Sequence, residues 1–141
     1  MENVTVAPAW DRLLIDADVR TIVVIGDSDT GKSTFAHYLF RRLCRAGRRP
    51  AYLDADVGQS TLGLPTTQTV ALAGEAGDDR FPPTGPRASF FLGDITPRGH
   101  MLPTVVGVRR LADEARGWGA GVTIVDTTGL VDPAQGGKAL K

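Results

Sequence analysis

One stretch constrains the fold of this chain more than any other. Gly26-Asp27-Ser28-Asp29-Thr30-Gly31-Lys32-Ser33 satisfies the pattern G-x-x-x-x-G-K-[ST]. The pattern has physical content only at a strand-to-helix junction, and the flanking sequence supplies one. Thr21 to Ile25 is an unbroken β-rich apolar run, as expected of a strand buried on both faces of a parallel sheet. From about Lys32 to Ala46, Phe35, Ala36, Leu39, Phe40 and Leu43 recur at helical spacing, and Gly47 supplies the stop. Glycines in such a loop let the backbone wrap closely around phosphates with N–H groups pointing inward. The helix that follows adds the partial positive charge of its N-terminus. Lys32 is then placed to reach the β- and γ-phosphates of a nucleotide, and the Ser33 hydroxyl to ligate Mg²⁺. Asp27 and Asp29 are unexpected beside a polyanion, so their charges must point away or serve as caps.

The remaining sequence alternates strand and helix patterns, which is the α/β signature. Trp10, Leu13, Leu14 and Ala17 predict a short amphipathic helix within residues 8–19. Ala51-Tyr52-Leu53 reads as a strand ending in Asp54-Ala55-Asp56, residues 57–67 as turns, and Gln68 to Ala73 as a further strand. Residues 74–87 cluster Gly, Pro and Asp, the composition of a surface loop or mobile insertion. Ser89 to Leu92 predicts another strand. Leu102 to Arg116 predicts a helix with Val105, Val106, Leu111, Ala112 and Ala115 inward, and Val122 to Val125 a buried strand ending at Asp126. The expected fold is a single α/β domain over residues 1–141, with a mostly parallel sheet sandwiched by helices. A doubly wound fold normally continues with more strands, so the sequence reads as C-terminally truncated.

Composition excludes several classes. With a formal net charge of zero there is no global field toward nucleic acid or anionic membrane, so any polyanion site is local. Arg41, Arg42, Arg45, Arg48 and Arg49 gather where the first long helix ends and read as a solvated face that suits the helix dipole. The single cysteine, Cys44, permits no internal disulfide and no thiolate cluster. Asp11, Arg12, Asp16 and Asp18 interrupt every N-terminal apolar run, so no signal peptide is expected; no run reaches the length of a membrane span. The expected address is the cytoplasm.

Two predicted strand ends carry carboxylates: Asp54 and Asp56 on one, Asp126 on the other. Ligands of open parallel sheets bind at such carboxyl-terminal edges. A P-loop enzyme needs one carboxylate for hydrated Mg²⁺ and often another at the nucleophile, while any of the three could equally cap a turn. Alternation puts Asp54 and Asp56 on the same side of an extended segment.

At these residues the chain resembles a known family. Tyr52-Leu53-Asp54-Ala55-Asp56-Val57-Gly58-Gln59-Ser60 is similar to the D-x-D-x-G-Q segment of the polynucleotide 5′-hydroxyl kinases, which include the kinase subunit of the mRNA cleavage factor and the kinases of ribosomal RNA processing. Pro8-Ala9-Trp10 resembles that family's lead-in, and Gly26 to Thr34 its phosphate loop. Phe91-Leu92-Gly93-Asp94-Ile95-Thr96-Pro97 resembles its F-x-G-x-x-[ST]-P segment, and Val125 to Val131 its N-T-x-G-W-V segment. The resemblance implies in-line transfer of the γ-phosphoryl group of ATP, with GTP as the alternative, to the 5′-hydroxyl of RNA or DNA. It implies nucleotide contacts along Gly26, Asp27, Ser28, Asp29, Thr30, Gly31, Lys32, Ser33 and Thr34. Ser33, Asp56 and Asp54 are the expected Mg²⁺ ligands, Lys32 and Asp56 the catalytic pair, and Gln59, Thr96 and Thr128 polar neighbours of the reacting centre.

Three departures bear on that expectation. Leu130 stands where eukaryotic members often carry a tryptophan, which removes a stacking platform. Asp126 replaces a common asparagine. The arginine-bearing lid of the family does not occur within residues 1–141, so weak nucleotide binding and little kinase activity are expected of this stretch alone. Two other readings stay open from the residues: an ATPase or GTPase switch, with Asp126-Thr127-Thr128-Gly129 ordered by the γ-phosphate, and a non-catalytic nucleotide-binding scaffold.

Overall fold

The computed structural model describes residues 6–27, 30–93, 99 and 101–127. In chain order the elements are α1 (Pro8–Asp11), β1 (Thr21–Val24), α2 (Lys32–Arg45), β2 (Pro50–Asp54), β3 (Thr67–Leu72), β4 (Arg87–Phe91), α3 (Met101–Gly117) and β5 (Val122–Asp126). The strands form one sheet in the order β1-β5-β2-β3-β4. β1, β5 and β2 run parallel, and β3 and β4 complete the sheet antiparallel, so the parallel part is its phosphate-loop half.

Residue alternation along the strands divides the core between two helices. Tyr52 and Ile124 point toward α2 and pack with Leu39, Phe40 and Leu43. Leu53, Val70 and Val125 belong to the other face, which packs against Leu111 and Ala115 of α3. The buried stripe of α3 is Thr104, Gly107, Leu111 and Ala115, offset from the expected one. Val105 and Val106 are exposed at 49% and 36%. Gly107 explains the offset: a Cβ there would stand 2.0 Å from Gln68 Oε1 and 2.6 Å from Phe90 Cδ1. The helix therefore approaches β3 and β4 along its smallest residues, and Gln68 Nε2 donates to the Thr104 carbonyl across the contact at 3.2 Å.

Three expectations need correction. β1 is not buried on both faces; among the described residues it lies at the sheet edge, and only Val24 of the strand is buried. Because α3 packs over β2, β3 and β4, a groove of about 330 Å³ is left open between α3 and Val23 and Val125. The helix expected within 8–19 forms only over Pro8–Asp11 and buries nothing. From Trp10 onward, several carbonyls are taken by arginines. Arg42 donates to the Trp10 and Leu13 carbonyls, and Arg48 to those of Asp16, Val19 and Gly121. The arginine cluster at the end of α2 is thus mainly a set of backbone clamps, with Arg49 holding Ala73 and Gly74 and Arg45 paired with Asp79. Residues 74–86 form a loop, one residue shorter than expected because Arg87 opens β4, and Phe81 anchors it with a ring that meets His37, Phe40 and Tyr52. No helix among the described residues is long and apolar enough to cross a membrane.

Candidate nucleotide site

The strand register brings the candidate residues together. Val24 and Asp54 each stand opposite Asp126, so β1, β5 and β2 end at one level where the phosphate loop departs. The loop closes tightly. Gly31 adopts φ +81°, the left-handed region that favours glycine, and a Cβ on Gly26 would meet Thr30 Oγ1 at 2.7 Å. Thr30 donates in turn to the Asp27 carbonyl at 2.8 Å, while the Asp27 side chain lies exposed. α2 begins at Lys32 with no side-chain cap and no acidic residue in its first turn, so nothing described competes with an anion for its leading N–H groups. Thr34 is half-buried in that turn. Ser28 and Asp29 lie outside the described residues.

Lys32 is 9% exposed, and its ammonium stands 3.8 Å from Asp56 Oδ2 and 3.7 Å from Asp126 Oδ1. These are ion-pair distances, longer than the 2.7–2.9 Å of a direct charged hydrogen bond. Lys32 bridges both carboxylates without being captured by either. Asp126 is 1% exposed, and its Oδ2 accepts from Ser33 Oγ at 2.8 Å and from the Tyr52 hydroxyl at 2.7 Å. Its Oδ1 is buried with no hydrogen-bond partner. Burial beside Asp126 pushes the Tyr52 phenol well above the usual tyrosine range, so it stays a proton donor.

This donor set fits a hard divalent cation. Two buried carboxylates face one ammonium, and one carboxylate oxygen is left without a donor. Ser33 spends its proton on Asp126, so its lone pairs are free for a metal. Among the described residues no cluster of three or more His, Cys, Asp or Glu forms a closed metal cage.

The two acidic residues of the second strand end part company. β2 stops at Asp54, so strand alternation does not extend to Asp56. Asp56 turns toward Lys32, and its Oδ1 accepts from the Gly58 and Gln59 N–H groups at 3.2 Å each. Asp54 is turned into the following loop. Oδ1 accepts from Asp56 N at 3.1 Å, and Oδ2 from Thr61 N, Thr61 Oγ1 and Leu62 N. Burial raises its carboxyl above the ordinary range, against the downward pull of the Thr61, Leu62 and Asp56 N–H groups. Gln59 contributes its backbone to Asp56, and the residue is exposed. Thr96 and Thr128 lie outside the described residues. Thr127, next to Asp126, donates its hydroxyl to the Val24 carbonyl at 2.8 Å and ties the ends of β5 and β1.

Tyr52 and the pairing of Ser33 with Asp126 are what sequence reasoning missed. Tyr52 sits two residues before Asp54 on the same face, but its reach to Asp126 depends on pairing β2 with β5. The sequence alone does not display that pairing.

A glycine-rich loop opening a helix, with carboxylates on neighbouring parallel strand ends, defines a P-loop nucleotide-binding domain of α/β type. Residues 26–141 match the family described as mRNA cleavage and polyadenylation factor CLP1 P-loop, and the chain belongs to that family. A polyribonucleotide 5′-hydroxyl-kinase of Pyrococcus horikoshii is 36% identical over 111 residues, 79% of this chain and 30% of the relative. A second kinase of that name from Pyrococcus furiosus is 38% identical over 113 residues, 78% of this chain and 30% of the relative. A CLP1 homolog from Drosophila mojavensis is 34% identical over 94 residues, 65% of this chain and 22% of the relative. The chain thus spans 30% of the length of the archaeal kinases it matches.

Proposed function

We propose that this domain serves an ATP-dependent polynucleotide 5′-hydroxyl kinase that moves the γ-phosphoryl group to the 5′-hydroxyl of RNA or DNA. The observation that carries the reading is the convergence of Lys32, Ser33, Asp56 and Asp126 at the mouth of the phosphate loop. The names of the archaeal relatives support the choice of acceptor.

In this reading the N–H groups of the loop and of the first turn of α2 bind the β- and γ-phosphates. Lys32 exchanges its two carboxylate partners for phosphate oxygens. A Mg²⁺ bound here would supply charge neutralisation, and Ser33, Asp126 and Asp56 are the residues that would hold it. Asp56 also accepts the proton of the attacking 5′-hydroxyl as its oxygen bonds to the γ-phosphorus. The bond to the bridging oxygen breaks in line, and ADP departs with that oxygen. Asp54 acts through the loop it holds. Most of the catalysis is positioning and electrostatics. The compartment in this proposal is the cytoplasm.

The test is transfer of label from γ-labelled ATP to an oligonucleotide with a free 5′-hydroxyl, by the full-length protein with Mg²⁺. Label on the oligonucleotide, lost with Asp56→Asn, supports the reading. Label released only as inorganic phosphate favours the switch alternative, and nucleotide binding without turnover favours the scaffold; either result overturns the kinase.

A further inference from the structure

We propose that Tyr52 is a positioning residue for the cation site: its hydroxyl fixes which oxygen of Asp126 addresses the cation and which serves Ser33. The proposal rests on the nucleotide–metal reading above and adds a residue to it.

Asp126 Oδ2 receives two donors, Ser33 Oγ at 2.8 Å and Tyr52 OH at 2.7 Å, whereas Oδ1 receives none and looks toward Lys32. With Ser33 as its only donor, the carboxylate would be free to rotate and offer either oxygen to the serine. The second donor removes that freedom. It leaves one oxygen saturated and one bare, and it keeps the Ser33 proton directed at Asp126. A partner that orients a ligand through a hydrogen bond typically changes metal affinity about 10- to 100-fold when removed.

The tyrosine is built to hold this position. It is fully buried, and its ring is enclosed edge-on by His37, Phe40 and Phe81 at centroid distances of 5.2, 6.4 and 5.0 Å. Phe81 comes from the loop between β3 and β4, so that loop braces the ring from a distance. Tyr52 pairs in register with Ile124, one alternation before Asp126, which places both side chains on the α2 face. A ring needed only for packing would be served as well by phenylalanine, without burying a hydroxyl.

The experiment compares parent and Tyr52→Phe for ADP binding by calorimetry, in EDTA and across a MgCl₂ series, with thermal melts in EDTA as the folding control. The expected result is ADP affinity in EDTA within about 2-fold of parent, because the phosphate cradle is untouched. The Mg²⁺-dependent gain in affinity should fall at least about 10-fold. Placing 4-aminophenylalanine at position 52 returns a donor to the same spot and should restore most of the gain; this arm also decides the matter should Tyr52→Phe fail to fold. Equal gains in parent and Tyr52→Phe would overturn the role of Tyr52 alone. Equal losses with and without Mg²⁺ would reduce it to packing. A parent with no Mg²⁺-dependent gain would overturn the metal reading together with this one.

Discussion

Replacing Asp54 with alanine separates a loop-holding carboxylate from a metal-binding one. Asp54 is 1% exposed and satisfies the N–H groups of Asp56, Thr61 and Leu62 as well as the Thr61 hydroxyl. Thr61 is exposed and can turn to water, but Asp56 and Leu62 are buried, so Asp54→Ala strands two donors. At about 1–3 kcal/mol for each unsatisfied buried donor, the loss is about 2–6 kcal/mol. Relief of burying a carboxylate offsets part of this and draws the expectation toward about 3 kcal/mol. For a chain of this size that corresponds to roughly 10 °C in Tm. Urea and thermal melts in EDTA without nucleotide measure it. The pH dependence has a definite sign. The folded pKa lies above the ordinary carboxylate value, so the folded state holds this proton more tightly than the unfolded one. The contribution of Asp54 is then full below that value and declines as pH rises through the folded pKa. The stability gap between parent and Asp54→Ala should narrow over that rise. An Asp54→Ala protein that melts within about 0.5 kcal/mol of parent, yet loses Mg²⁺-dependent nucleotide binding, would refute the loop role and make Asp54 a ligand.

Further outcomes follow from the same geometry. Asp56→Asn should reduce label transfer in the full-length protein by orders of magnitude while ATP affinity falls much less, because the charge acts chiefly on the transition state; single-turnover rates and equilibrium binding separate the two. Gly107→Ala should destabilise by about 1–2 kcal/mol in urea melts, since overpacking against Gln68 and Phe90 outweighs the gain in helix propensity. Gly117→Ala, with nothing within 4 Å of the added Cβ, should be neutral or stabilising by up to about 1 kcal/mol in the same assay. Arg42→Ala should remove its hydrogen bonds to the Trp10 and Leu13 carbonyls and speed amide hydrogen exchange across residues 10–14, leaving the β5 core protected.

Local patterns carried most of the fold. The loop of residues 26–33 and the stripe of α2 were legible because turn chemistry and helical period act over a few residues. What failed depended on contacts distant in sequence. The apolar run of β1 looked like a central strand, since periodicity does not report that α3 covers β2, β3 and β4 instead. Residues 13–19 carried a helical pattern, but Arg42 of α2 and Arg48 just beyond it take their carbonyls and hold them irregular. At the site, Lys32 and Ser33 were readable from the motif alone. Asp54 and Asp56 looked equivalent in sequence, and the end of β2 between them made one a loop anchor and the other a partner of Lys32.

The central claim is that the loop at Gly26 to Ser33 and the carboxylates beside it form one nucleotide–metal site. The most direct measurement is the melting temperature of parent and Lys32→Ala with saturating ATP and Mg²⁺. At about 100 times Kd, binding adds roughly 2.7 kcal/mol, or about 5–15 °C for a chain of this size. The parent should show that shift and Lys32→Ala should lose most of it. Equal shifts in the two proteins would place nucleotide binding elsewhere and contradict the account.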